Sequence, residues 1–404
     1  MEKLKYLFYP ATLLGAELYS AYCGITRHEQ NEGDIYYLYF MIFLFLVSIS
    51  LIFHDLFVKK KKFDKWVIAI PMLYTLLYYF DCTFENPPLE WTSKSYQFFL
   101  FFCIPPIFIA SILGNQGLNL TKFSKNLEIY IIIIGIGMIS YLPVMILAGG
   151  MIKGYLNISY QAALAFGYLY HNILNRSSER YGVLNSKAGR VISIFMCILL
   201  FLTCISSGGR GGAILLILFI TLIPCKYTNK RNIIKVAALY IPTLLLTIYI
   251  TSEIIGQSVL STIFENGFQR IFSYLTTNGI DMSQTSNRDE AYELALKHIE
   301  DNIVLGNGIF HTIGKYGYPH NIFLEILEGG GIFYLTLWIV VLFQSAKSFI
   351  INTFKRNKYF ALFPLMLYPC VMLLFSSSYI MTGLFWFFVV FTHTKSFNSH
   401  NYET

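Results

Sequence analysis

Charge is what this sequence has least of. Only 13% of its 404 residues are Asp, Glu, Lys or Arg, against roughly 25% in a soluble domain. A chain this poor in charge does not read as a soluble enzyme. Cysteine is present seven times but never as CxxC, which argues against a zinc ribbon, a dithiol redox motif or a disulfide framework. No Walker A pattern occurs, so ATP-driven transport by this chain alone is disfavoured. No repeat at 20–50-residue spacing and no low-complexity tract is visible, which disfavours solenoids and propellers. The net charge of +7 would suggest nucleic acid only if the basic residues clustered on a soluble face, and here they sort along the chain in another way.

What the sequence has is apolar runs. Hydrophobic residues make up 55% and the mean hydropathy is +0.54. Runs such as "YYLYFMIFLFLVSISLIF" (36–53) and "IYIIIIGIGMISYLPVMILAGG" (129–150) match the ~20 apolar residues that cross a ~30 Å hydrocarbon core. The pattern predicts an all-α polytopic membrane protein. Twelve spans are expected, near 5–25, 36–57, 66–80, 97–113, 128–149, 158–174, 191–207, 212–225, 236–256, 322–345, 359–378 and 380–394. The first span lacks a small-residue cleavage site and reads as retained. With the N-terminus inside, 22 of the 30 basic residues fall in inner segments and 8 in outer ones. By the positive-inside rule both termini are then cytoplasmic. Three parts follow: nine spans in 1–256, an outer loop over 257–320, and three spans plus a cytoplasmic tail in 321–404.

The outer loop is the one large non-membrane segment, so a site is expected there. Residues 257–280 are apolar and aromatic and read as an interfacial helix. Asn287 with Glu290 makes a capping box, and apolar spacing predicts a helix over about 288–301. Arg288 opens that helix, where unpaired N–H groups and a forked guanidinium suit a phosphate or diphosphate; the alternative is a solvent-facing arginine paired with Asp289 or Glu293. The segment "CISSGGRGGAILL" (204–216) sits at the outer turn between two spans. Its glycines let backbone approach a ligand, Ser206 and Ser207 offer hydroxyls, and Arg210 lies where an unpaired charge is costly. The alternative there is a tight turn with a snorkelling arginine.

The third feature is "GKYGYPHNIFLEILEGGGIF" (314–333). At ~100° per residue, Asn321, Glu325 and Glu328 share one stripe of a helix, with His320 about a quarter-turn away. A polar stripe faces the bundle interior or a wet cavity rather than lipid. Gly329 to Gly331 permit close packing or a kink.

Together these motifs resemble the bacterial O-antigen polymerase and O-antigen ligase family. The likeness rests on Gly306-Asn307-Gly308, His320-Asn321, Leu324-Glu325 and the glycines that follow. Upstream it rests on Arg288 with its helix and on "SSGGRGG", where an extra glycine replaces the usual serine before Arg210. The resemblance implies a fold like the C-type glycosyltransferases and an active site facing the periplasm of the bacterial inner membrane. It implies inverting, metal-independent transfer of a glycan from undecaprenyl diphosphate to a lipid-linked repeat unit, with no cofactor. Arg210 and Arg288 would then clamp the diphosphate. His320 would orient or deprotonate the acceptor hydroxyl. Asn321, Glu325, Arg270, Tyr316, Tyr318 and Ser207 would contact substrate, with Glu325 orienting His320 or Asn321. Implied partners are the lipid-linked glycan as donor and acceptor, membrane lipid, and a candidate chain-length regulator protein; nucleic acid is not among them. Polymerase is the favoured reading. The alternatives are a ligase that transfers the glycan to lipid A-core, a capsule polymerase of the same type, and, from another class, a non-enzymatic flippase.

Overall fold

The computed structural model describes residues 1–29, 34–84, 89–115, 117–148, 152–175, 184, 186–227, 275–276, 279–280, 289–312, 318–355 and 357–398. The described residues are helical apart from turns, connecting segments and a two-residue antiparallel ladder, Leu275–Thr276 with Gly279–Ile280. At those four residues the expected interfacial helix is replaced by paired extended backbone. Among the described residues, seven helices are long and apolar enough to cross a membrane. They are Ile35–Val58, Lys65–Thr83, Trp91–Gly114, Leu120–Ala148, Lys187–Ser206, Arg210–Tyr227 and Ile322–Phe354, with shorter apolar helices at Phe363–Phe375 and Gly383–His393. The expected span 236–256 lies outside the described residues. The first expected span is two helices, Glu2–Leu13 and Gly15–Thr26, separated at Leu14.

The chain divides into two compact units, one of Met1–Gly15, Ile35–Phe123 and Thr285–Thr404, the other of Ala16–Asp34 and Ser124–Gln284. The first unit is built on aromatic packing. Tyr74 stacks on Phe99 at 4.6 Å, and the Trp386 ring meets both edge-on at 5.1 and 5.6 Å. Trp338 lies 5.5 Å from Trp386. Such large rings fill space, and their polar atoms are partnered: the Tyr74 hydroxyl lies 2.6 Å from that of Tyr334, and Trp386 Nε1 donates to the Tyr379 carbonyl at 2.9 Å. A fully buried charge pair also lies in this unit. Asp55, fully enclosed, accepts from Lys5 and from the Tyr9 hydroxyl at 3.0 Å, and Lys61 lies 3.4 Å away. An uncompensated carboxylate at that depth would cost several kcal/mol, on the order of 3–5 when one partner of a buried pair is removed.

In the second unit, helix Tyr155–Leu174 is buried along most of its length, from Ile158 to Leu169. Helices Lys187–Ser206 and Arg210–Tyr227 pack against it. The turn between those two helices fixes how close they come. Gly208 has φ 71°, and a side chain at Gly209 or Gly212 would overlap Ser159, or at Gly211 the Tyr160 ring. Small residues here let backbones approach, the usual device for helix packing in lipid.

Candidate functional site

Pro319-His320-Asn321 sets the start of the longest helix, Ile322–Lys355. His320 takes φ 52°, a left-handed turn that a histidine adopts more readily than a branched residue. Asn321 then caps the helix: its Oδ1 accepts the N–H of Phe323 at 3.0 Å and of Leu324 at 3.3 Å. These are two of the donors that a helix start leaves without an intrahelical acceptor. Its Nδ2 donates to the Leu374 carbonyl at 3.4 Å. The Asn321 amide is therefore engaged at both ends, and its work is to fix the backbone beside His320. The Tyr318 ring lies 4.4 Å from the His320 ring, tilted by 51°.

The two glutamates that share a stripe in sequence serve different neighbours. Glu325 is fully buried. It accepts from the Ser378 hydroxyl, and its Oε2 accepts the Tyr379 N–H at 3.3 Å. It thus holds the turn between Phe363–Phe375 and Gly383–His393. The donors to its carboxylate come from the turn at Ser378, distant in sequence, rather than from His320 or Asn321. Glu328, one turn further on and 4% exposed, instead accepts His298 Nδ1 at 2.7 Å. His298 comes from helix Asp289–Asp301, which matches the expected helix to within a residue.

Between these helices, the Gly306-Asn307-Gly308 motif docks onto a break in the long helix. Gly331 leaves helical geometry at φ 67°, ψ −170°. Ile332 N–H, which would ordinarily bond the Glu328 carbonyl, donates to Ile303 O at 2.9 Å. The Glu328 and Gly329 carbonyls, released in turn, accept Asn307 N–H and Gly308 N–H, each at 2.9 Å. Backbone groups opened by the break are thus re-paired by the loop, as they must be at membrane depth. Phe310 anchors the loop among Tyr74, Tyr78, Tyr96 and Phe99, with ring centroids 5.5–6.2 Å away. Its N–H donates to buried Asp81 at 3.0 Å. Burial, and then the nearby His298, hold the His311 imidazole below its ordinary pKa.

Asp81, Phe310 and His298 were not singled out as site residues from sequence, whereas Glu328 was, as part of the polar stripe, but not its partner. The partners of Asp81 and Glu328 lie 229 and 30 residues away, so no local pattern marks them. In the second unit, Ser207 is fully enclosed and its hydroxyl donates to the Cys204 carbonyl at 2.8 Å. That local bond tightens the turn. Arg210 opens helix Arg210–Tyr227 and is half-buried. Arg270, Arg288 and Tyr316 lie outside the described residues. Among the described residues no group of three or more His, Cys, Asp or Glu is placed to hold a metal ion.

Residues 195–339 match the O-antigen ligase family model. The match runs from helix Lys187–Ser206, through "SSGGRGG" and helix Asp289–Asp301, to just past the break in the long helix. The motifs that carried the resemblance, from Ser206 to Gly331, therefore fall inside the matched segment. No curated protein and no solved structure matches the chain significantly. The chain is an α-helical polytopic membrane protein, and its residues 195–339 are similar to the O-antigen ligase family.

Proposed function

We propose that the chain is an O-antigen or related surface-polysaccharide polymerase. It transfers a glycan from undecaprenyl diphosphate to a lipid-linked repeat unit at the periplasmic face of the inner membrane. The observation that carries the reading is the family match over 195–339, which contains both the "SSGGRGG" turn and the His320-Asn321 helix start. The ligase, with lipid A-core as acceptor, is the second reading, because the same match favours it equally.

In the transfer, an acceptor hydroxyl attacks the anomeric carbon from the side opposite the diphosphate. A carbon–oxygen bond forms, the bond to the diphosphate oxygen breaks, and the hydroxyl proton must leave. Negative charge grows on the departing diphosphate and needs fixed positive groups. Arg210 and Arg288 supply that charge, and a guanidinium fork pairs two phosphate oxygens at once. His320, held at the Asn321 cap, engages the acceptor hydroxyl; Arg270, Tyr316 and Tyr318 are the loop residues for contact with lipid or sugar.

The decisive experiment deletes the gene and runs the surface polysaccharide on a gel. A core bearing one repeat unit is the polymerase outcome. Bare core with long polymer left on undecaprenyl diphosphate is the ligase outcome. Bare core with no lipid-linked sugar outside overturns both in favour of a flippase. In the complemented strain, Arg288→Ala should abolish polymer while the protein still inserts, and a polymer-forming Arg288→Ala variant removes the clamp.

A further inference from the structure

Glu325 and Glu328 are both buried, yet they are used differently. Glu325 offers each oxygen to a donor, from Ser378 and from Tyr379, and so serves the packing of its turn. Glu328 has one hydrogen bond through its side chain, Oε1 to His298 Nδ1 at 2.7 Å, and its Oε2 is enclosed with no partner among the described residues. As a purely structural pair this is a poor arrangement, because desolvating a carboxylate costs more than one bond returns. As a device for holding an imidazole it is a good one. A carboxylate on Nδ1 fixes the ring tautomer and orientation and leaves the Nε2 lone pair outward.

The exposure of the pair is asymmetric in the sense this requires. The Glu328 side chain is 6% exposed and that of His298 36%. Among the described residues nothing hydrogen-bonds to His298 Nε2. The backbone beneath is pinned by one amide: Asn307 Nδ2 donates to the His298 carbonyl at 2.8 Å and to the Glu328 carbonyl at 3.3 Å. The helix break at Gly331 frees the Glu328 carbonyl for that grip. The Gly306–Gly308 loop, the break and the dyad are thus one construction.

We propose that His298, oriented by Glu328, is the proton acceptor of the glycosyl transfer. The inference rests on the transferase reading and deepens it. As the acceptor oxygen bonds to the anomeric carbon, its proton moves to His298 Nε2. The Nδ1–H bond to Glu328 steadies the imidazolium that forms. The electron pair of the broken carbon–oxygen bond leaves with the diphosphate. His320 is then a group that binds the acceptor, and Glu328 is a positioning residue.

The test uses the full-length protein reconstituted with lipid-linked repeat unit extracted from the deletion strain. Asparagine at 298 can still donate to Glu328 but cannot take a proton. His298→Asn should therefore keep its thermal stability and KM and lose about 10²–10⁴-fold in kcat, the usual worth of a general base. Glu328→Gln, which keeps an acceptor for Nδ1 but loses the charge, should lose about tenfold in kcat with KM unchanged, a smaller share of that contribution. A stable His298→Asn variant with wild-type kcat overturns the proposal. So does a Glu328→Gln variant with wild-type kcat, which keeps the test decisive if the His298 variant fails to fold. Wild-type protein that forms no polymer and releases no undecaprenyl diphosphate overturns the polymerase reading instead.

Discussion

A methyl group added at Gly306 would meet the Gly329 carbonyl carbon and oxygen and the Gly330 nitrogen at 2.5 Å, all backbone atoms that cannot swing aside. Gly306 also has φ 76°, where an L side chain is strained by about 1–3 kcal/mol. Gly306→Ala should therefore lower the melting temperature in detergent by several degrees and cut activity, because the loop it displaces holds Asn307. Phe310→Ala removes the ring at the centre of an aromatic cage. It should destabilise by about 3–5 kcal/mol, the range for truncating a buried aromatic, and thermal melting of the purified protein reads it directly. At this scale the sequence exposed the residues but not their duties. Gly306, Gly308, Asn321 and Glu325 stand out as a motif, and the residues around them give no hint that Glu325 serves Ser378 or that Ser207 serves Cys204. The Glu325 partner is set by how helices meet, whereas Cys204 and the N–H groups that Asn321 caps lie within a helical turn of their partners in sequence.

Elements were more legible than contacts, because hydrophobic period and capping are local properties. The helix expected over 288–301 is Asp289–Asp301, and a kink was permitted by Gly329 to Gly331. The expected span 322–345 already runs through those glycines, and what periodicity could not convey is that the helix reaches Lys355. The break has a consequence for stability. The loop over 302–312 supplies donors to the opened carbonyls, and Asp81 in helix Ala69–Phe84 holds the loop by the Phe310 N–H. Asp81→Asn keeps a carbonyl acceptor and should be mild. Asp81→Ala leaves a buried N–H without a partner and should cost about 1–3 kcal/mol. Limited proteolysis should cut within 302–312 faster in the alanine variant than in the asparagine one. Equal cutting rates would show that the loop is held by Phe310 and the glycine contacts alone.

For the whole molecule, the sidedness of the membrane insertion is the property on which the site depends. The lysines at 59, 60, 62 and 65 are exposed, whereas the acids of the same stretch are turned inward, Asp55 to Lys5 and Asp64 to Asn115. The exposed charge there is therefore positive, which is the sign retained on the cytoplasmic side. Glu300, exposed on helix Asp289–Asp301, belongs to the segment expected outside. Cysteine labelling can compare the two positions once the partly accessible native thiols, Cys82, Cys225 and Cys370, are replaced by alanine. With a membrane-impermeant maleimide applied to the outer side of the inner membrane in spheroplasts, a Glu300→Cys protein should label and a Lys62→Cys protein should not. Inside-out vesicles should reverse the pattern. The opposite result would put helix Asp289–Asp301 and the His298–Glu328 pair on the cytoplasmic side. A polymerase whose lipid-linked substrate lies in the outer leaflet could not use them there, so a reversed pattern would remove the proposed mechanism along with the topology.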